Sequence, residues 1–555
     1  MKATLTLLLV AVFVAVFWTP PRMFAQAPDT VTIAATPAGN INTVISGDTL
    51  GNGQRNNINR VYKLTRGARY LYDATLHVNW PLRLIADTGS TKPPVIAPAI
   101  LQDNSSPGDF VDISKGNATF KNLYFLGVRA DQIRQGANVQ AIAVLSDSIR
   151  LTVDNCVFDG WEWQALWLTG NHDNVFVTNC LFRNMQHPTA FFYGEGVRFD
   201  NGSSTDTVFI VNNTFFCLNG PADCPVAINL YNRFEHNTVF LTAVNPMNTF
   251  YPVNAIFKNN IYFGTLAVAQ SNAEIAQYYY ENEISPSSTI SIDSNAALDA
   301  TFNVTEAMRT ASVRNNAYFW PNDMTDFWSS PLMDTLVDPV WMNVRTTGMF
   351  SDKTHYPDFV ASGNVNADPG FPASVMGQVD SLITYARQYR TATLSSTSEW
   401  LFNPNHDLYG VAWPVPENLT YTNTALMHAG DDGYALGDLN WFPAQKATWT
   451  LTDVKTEKSV PEEFALSQNY PNPFNPSTTV NYQLPKQSHV TLKVYNVLGQ
   501  VVQTLVDGMQ NAGYKSIKWN ASAVASGIYF YRLEATSTSD PTKSFTQVKK
   551  MLMIK

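Results

Sequence analysis

Charge is scarce in this chain. Asp, Glu, Lys and Arg make up 15% of its 555 residues, and Asn, Thr, Ser and Gly carry much of the polar surface instead. That mix suits a secreted β-protein whose turns are held by hydrogen bonds. The balance is acidic, at −9, yet residues 463–555 hold nine Lys and Arg against four Asp and Glu. The acidity therefore lies in the body before the tail. A nucleic-acid partner is excluded on that ground, because phosphates demand a basic footprint.

Cysteine is scarcer still. There are four, all between Cys156 and Cys224, and no histidine pair completes a zinc set with them. Cys217 and Cys224 flank the short loop Leu-Asn-Gly-Pro-Ala-Asp, so a disulfide is expected there in an oxidising compartment. Long apolar runs are also missing, with one exception. Leu5 to Trp18, after Lys2 and before a small-residue site at Ala25, reads as a secretory signal over residues 1–25. No other run approaches the length of a membrane helix. P-loop, zincin and Gly-x-Ser-x-Gly motifs are lacking too.

What the chain does have is repetition. Asn-x-x-Phe occurs as Asn122/Phe125, Asn155/Phe158, Asn179/Phe182, Asn213/Phe216, Asn237/Phe240, Asn260/Phe263 and Asn316/Phe319. The Asn-to-Asn steps are 33, 24, 34, 24, 23 and 56 residues. Such a period marks a solenoid. One unit divides into three short strands, Gln164–Thr169, Asn174–Thr178 and Cys180–Asn184, which predicts a parallel β-helix. No helical repeat and no Trp-Asp blade signature competes with it. The Phe column is expected to point inward and stack, so that Phe125, Phe158, Phe182, Phe216, Phe240, Phe263 and Phe319 are scaffold. Each Asn is expected at a tight bend, where it tolerates left-handed backbone angles. Cys156 and Cys180 each follow a ladder Asn and should stack as buried free thiols. Upstream, the inward apolar residue runs Phe120, Val153, Val177, Val211 and then slips by one to Phe234 and Phe257, for which a bulge is the expected cause.

Residues 26–59 read as a polar lead-in and 60–445 as the coil. Segments at about 264–311 and 320–450 depart from the repeat. Within them, Ala273–Glu281 and Ala373–Arg390 have helical spacing. Residues 446–462 read as a linker. From Glu463 onward, period-2 strands with Gly turns predict a small immunoglobulin-like sandwich.

Several motifs in that tail occur in order: Asn469-Tyr-Pro-Asn-Pro-Phe-Asn-Pro-Ser477, Val494-Tyr-Asn-Val-Leu-Gly-Gln500, Gly527-Ile-Tyr-Phe-Tyr531 and Lys549-Lys-Met-Leu-Met-Ile-Lys555. They closely resemble the C-terminal type A sorting domain of type IX secretion substrates. The resemblance implies a Gram-negative source, the type IX machinery as a partner, and release or anchoring at the outer cell surface. The body resembles the pectate-lyase-like right-handed parallel β-helix superfamily at the level of fold. That superfamily holds lyases, hydrolases, adhesins and members with no known activity.

Chemistry on such a coil belongs on its outward residues. With Leu166, Val197 and Ile228 facing in, Trp167, Arg198, Asp200 and Asn229 face out on successive turns. Trp161, Trp163 and His187 lie beside them, and aromatic faces suit sugar stacking. This is the candidate glycan-binding face. The expected role is a secreted or surface β-helix that binds extracellular polysaccharide or serves as an adhesion element. The alternative is a polysaccharide lyase using Arg198 with Glu195 or Asp200. Asp431 and Asp432, in a Gly-rich stretch with Asp438, are candidate ligands for Ca²⁺.

Overall fold

The computed structural model describes residues 29–50, 55–136, 138–200, 203–225, 228–247, 251–278, 287–294, 304–330, 336–450, 464–466, 468–469, 472–485, 488–510, 513–522, 524–537 and 544–554. The signal at 1–25 and most of the linker lie outside the described residues. The chain divides into two compact units, Met1–Thr448 and Trp449–Lys555.

The first unit is a parallel β-helix. Its strands fall into parallel sheets of eleven, six and ten members, and six consecutive turns donate one strand to each sheet. Gln164–Leu168, Asn171–Thr178 and Leu181–Met185 form one turn. Glu195–Phe199, Ser204–Val211 and Thr214–Leu218 form the next. The lead-in is more ordered than its sequence suggests. Thr30–Thr32 pairs with Val61–Leu64, and the helix Asn40–Gly47 buries Ile41 and Ile45. The coil also runs on into the segment expected to depart from it. Asp358–Ser362 and Val365–Asn366 extend the eleven- and ten-stranded sheets by one more turn.

The corner between these two sheets explains the Asn repeat. Asn122, Asn155, Asn179, Asn212, His236, Asn259 and Asn315 all hold positive φ, between 49° and 60°. Asn is among the few residues that adopt this conformation at low cost. The residue after the corner points into the coil. It is Leu123, Cys156 and Cys180 in early turns and Asn213, Asn237, Asn260 and Asn316 in later ones. These later Asn residues form a fully buried amide ladder. Asn213 donates to Asn237 at 3.0 Å, Asn237 to Asn260 at 3.3 Å, and Asn260 to Asn316 at 2.9 Å. Each amide also donates to a carbonyl of the eleven-stranded sheet one turn earlier, as Asn237 does to Ile210 at 2.8 Å. Asn237→Leu would strand those partners. It should cost about 2–3 kcal/mol, read as a lowered urea midpoint.

The Phe ladder is therefore two ladders, not one inward column. Phe125, Phe158 and Phe182 stack inside the coil with centroids 4.9 Å apart. The next ring in that stack is Phe215, at 4.8 Å. Phe216, Phe240, Phe263 and Phe319 stack on the outer face of the ten-stranded sheet, at 5.1, 5.2 and 5.9 Å. In the early turns the motif Asn is the corner itself; in the later turns it stands one residue beyond. Strand side chains alternate, so that single step carries the Phe through the wall. No bulge is involved where one was expected. Val177 pairs with Ile210, Ile210 with Phe234 and Phe234 with Phe257, so one register position runs through all four, and Val211 faces out.

A strap of residues 367–447 covers the outer Phe stack. Phe371 meets Phe240 and Phe263 edge-on, and Phe402 meets Phe216 in the same way. Val411 closes over Val95, Tyr124, Leu126 and Val157. Within the strap, the helix Ala373–Arg390 spans the residues expected from sequence and buries Val375, Val379, Leu382, Ile383 and Ala386. The earlier insert forms the helix Asn272–Tyr278, with Ile275 buried; the expected continuation to Glu281 lies outside the described residues.

The second unit pairs a three-stranded antiparallel sheet with a four-stranded one. Their inward residues, including Val480, Tyr482, Val494, Trp519, Tyr531 and Met551, form one core. This is the small β-sandwich that the period-2 pattern predicts.

Candidate functional site

The six-stranded sheet sets out a column on its outer face. Register aligns His77, Asp112, Ala143, Trp167, Arg198 and Cys224 on successive turns. Leu166 and Val197 beside them face the core, as expected. Ala143 is fully buried beneath its taller neighbours, whereas Trp167 and Arg198 remain partly exposed. Among the described residues Trp167 stacks on no other ring.

The ion pair of Arg198 is with Glu195, not Asp200. Arg198 Nη1 donates to Glu195 Oε1 at 2.8 Å. Glu195 is only 2% exposed and also accepts from Gln164 Nε2 at 2.8 Å. Burial pushes the Glu195 carboxyl up, while Arg198, Gln164 and Cys224 pull against that shift. For Arg198 burial works downward, and Glu195, with Cys224 and Asp200 adding to it, outweighs burial, so the guanidinium is raised. Asp200 lies half-buried, one step along the same outer face.

The flank of this face is aromatic. Trp163 precedes the strand and stacks on Tyr193 with centroids 3.4 Å apart. His187 stands 6.4 Å from Trp163, edge-on. Its Nδ1 accepts backbone N–H groups from Thr189 and Ala190 at 3.2 and 3.0 Å, so it caps its own loop. Burial, with Arg134 adding to it, lowers the His187 imidazole. Neutral and bonded in this way, His187 shapes the flank.

Two residues expected on this site are elsewhere. Trp161 is a core residue whose Nε1 donates to the Phe125 carbonyl at 3.2 Å. Asn229 is fully buried and pairs with Thr205 in the eleven-stranded sheet. The strand that follows Arg198 in register is Asp223–Pro225, which places Cys224, not Asn229, in the outward column. Cys217 and Cys224 are not joined in a disulfide. Cys217 lies on the strand Thr214–Leu218 of the ten-stranded sheet and Cys224 on the six-stranded one, so the loop between them rounds a corner instead of folding back. Cys156 and Cys180 are buried free thiols on adjacent turns.

The candidate cation ligands have protein partners. Asp431 receives Lys258 at 3.1 Å and Arg314 at 3.0 Å. Asp432 meets His236 Nε2 at 2.8 Å. Asp438 is buried and accepts from Thr214 at 2.7 Å. Sequence reasoning missed that Glu235, His236 and Asp432 bring ligand atoms within 4.8 Å of one another. Arg233 and Lys258 already bind Glu235, however. Glu235 is thereby neutralised by side-chain cations, which disfavours a further positive charge beside it. The signal was in the corner column, where His236 replaces an Asn.

Residues 468–547 match the family described as the secretion system C-terminal sorting domain. The tail is a type IX sorting domain. It marks this protein as secreted or attached to the outer cell surface and implies contact with the secretion machinery. No curated protein matches the chain. Among the described residues no helix is long and apolar enough to cross a membrane. The sorting domain is an address, and the activity of the coil has to be argued from the coil.

Proposed function

We propose that this exported β-helix binds extracellular glycan on the outer face of its six-stranded sheet. The observation that carries the reading is the setting of Trp167. It is partly exposed, stacks on no other ring among the described residues, and stands in line with Arg198 on the strand that Trp163 precedes. An unpaired indole is a platform for a sugar ring, and an adjacent guanidinium suits a carboxylate or sulfate on the same chain. The burial of Glu195 counts against the lyase alternative. A base that abstracts a proton from a polymer must reach it, and Glu195 is enclosed and held by Arg198 and Gln164.

Pull-down on insoluble polysaccharides and a glycan array test this reading. Trp167→Ala should weaken binding about tenfold or more, equivalent to one lost aromatic contact. Arg198→Ala should weaken acidic glycans and spare neutral ones. A blank array for the unmodified protein would sink the proposal. Ultraviolet-absorbing unsaturated product from an acidic polysaccharide, lost in Arg198→Ala, would favour the lyase instead.

A further inference from the structure

The sorting unit carries an apolar face that its own fold leaves open. In the four-stranded sheet, antiparallel register sets Val501 beside Tyr495, Tyr495 beside Phe530, and Ile528 beside Leu552. Side chains alternate along these strands. Val494, Tyr529, Tyr531 and Met551 enter the core, and the residues between them face outward. Val501, Ile528 and Leu552 are 54%, 43% and 36% exposed.

The turn Asn496–Gln500 lies at the same end of this sheet and is built rigidly. Asn496 Oδ1 accepts the backbone N–H groups of Leu498 and Gln500, both at 3.0 Å, and Gly499 closes the turn at φ 78°. This framework holds Val497 and Leu498 out at 66% and 79% exposure. Core packing gives no reason for two large apolar side chains on an ordered turn. A flexible tip could fold them away; this one cannot. Contiguous exposed apolar surface of this kind marks an interaction site.

The rim is cationic. Lys493 pairs across from Arg532, and Lys550 across from Phe530, on the outward side. The unit as a whole carries an excess of Lys and Arg over Asp and Glu, opposite to the coil. An acidic counterpart is the complement.

We infer that this face, with the Val497–Leu498 turn as its anchor, docks onto a component of the type IX export machinery that offers an apolar cleft edged by carboxylates. The occupant follows from the sorting family assignment, which already requires a machinery partner, and from the charge of the rim. A pre-ordered apolar anchor loses little conformational entropy on binding, so the turn should act as a hot spot.

The test is export of the full chain from a type IX-competent host, with Leu498→Asp and Ile528→Asp as separate variants. Each should cut the extracellular fraction about tenfold, the affinity carried by one buried aliphatic side chain, with folded protein accumulating in the periplasm. Because the turn and the strand are changed separately, a folding failure at one position leaves the other to decide. Lys550→Glu should also reduce export. Normal export of folded Leu498→Asp and Ile528→Asp would overturn the inference. So would dimerisation of the purified chain that Leu498→Asp abolishes, or binding to anionic phospholipid vesicles that it abolishes, since either would assign the face to a second copy or to a lipid surface.

Discussion

Glu417→Ala should lower the stability of the coil unit by about 3–5 kcal/mol and free the strap around it. Glu417 clamps Arg183 in a bidentate pair at 2.7 and 3.0 Å, and Asp159 binds the same guanidinium at 2.6 Å. All three are buried beneath the strap, and the Tyr124 hydroxyl donates to Asp159 at 2.6 Å. Burial pushes the Glu417 carboxyl up, with Arg183 opposing it. For Arg183 burial works downward, and Asp159 and Glu417 outweigh it. Alanine removes the clamp and leaves Arg183 enclosed with one counter-ion instead of two. Hydrogen exchange should rise over residues 400–420, and the urea midpoint should fall. Glu417→Gln keeps the shape and one acceptor and should cost less. A Glu417→Ala protein as stable as the parent would show that water reaches Arg183 and that the strap is not pinned there.

Asp223→Asn should stabilise the protein above neutral pH, by up to about 4 kcal/mol, because burial holds the Asp223 carboxyl up at about 7. Asp223 faces the interior of the coil and is fully buried. Asn232 Nδ2 donates to its Oδ2 at 3.1 Å, and its Oδ1 has no partner among the described residues. Asn232 Oδ1 likewise has none, so an amide at 223 gains an acceptor for its new N–H group. Burial raises the Asp223 carboxyl to about 7, and it raises Asp173 and Asp438 to about 7 as well. The direction of the effect follows. From about pH 4 to about pH 7 the folded chain holds protons that the unfolded chain has released. Stability therefore falls as pH rises through that window and stays lower above it. Asp223→Asn should remove part of this decline, seen as a smaller Tm difference between pH 5 and pH 8. If the variant melts no higher than the parent at pH 8, the Asp223 carboxyl does not carry the decline.

Much of the coil was legible because strand alternation and the Asn period are local signals. The helix Ala373–Arg390 was legible for the same reason, through its 3.6-residue spacing. The change of phase in the Phe ladder was missed, although the chain marks it. Later motifs are preceded by a second corner residue, in Asn212-Asn213, His236-Asn237, Asn259-Asn260 and Asn315-Asn316. Earlier ones are not. The doubled residue separates the left-handed corner from the inward amide. The partnership of Arg183 with Glu417 spans 234 residues, and no local pattern reports it. The outward facing of Trp167 and Arg198 was legible from alternation alone. Asn229 was misplaced because the shortened strand Asp223–Pro225 took the position that the regular spacing assigned to residues farther on.

The strap has a consequence in time. Synthesis and export run from the N-terminus, and a coil can grow turn upon turn as each repeat finds the one before it. Phe216, Phe240 and Phe263 are in place long before Phe371 and Phe402 arrive to cover them. Until then the growing coil carries a continuous greasy stripe along one side. The nascent protein is most vulnerable to self-association in that interval.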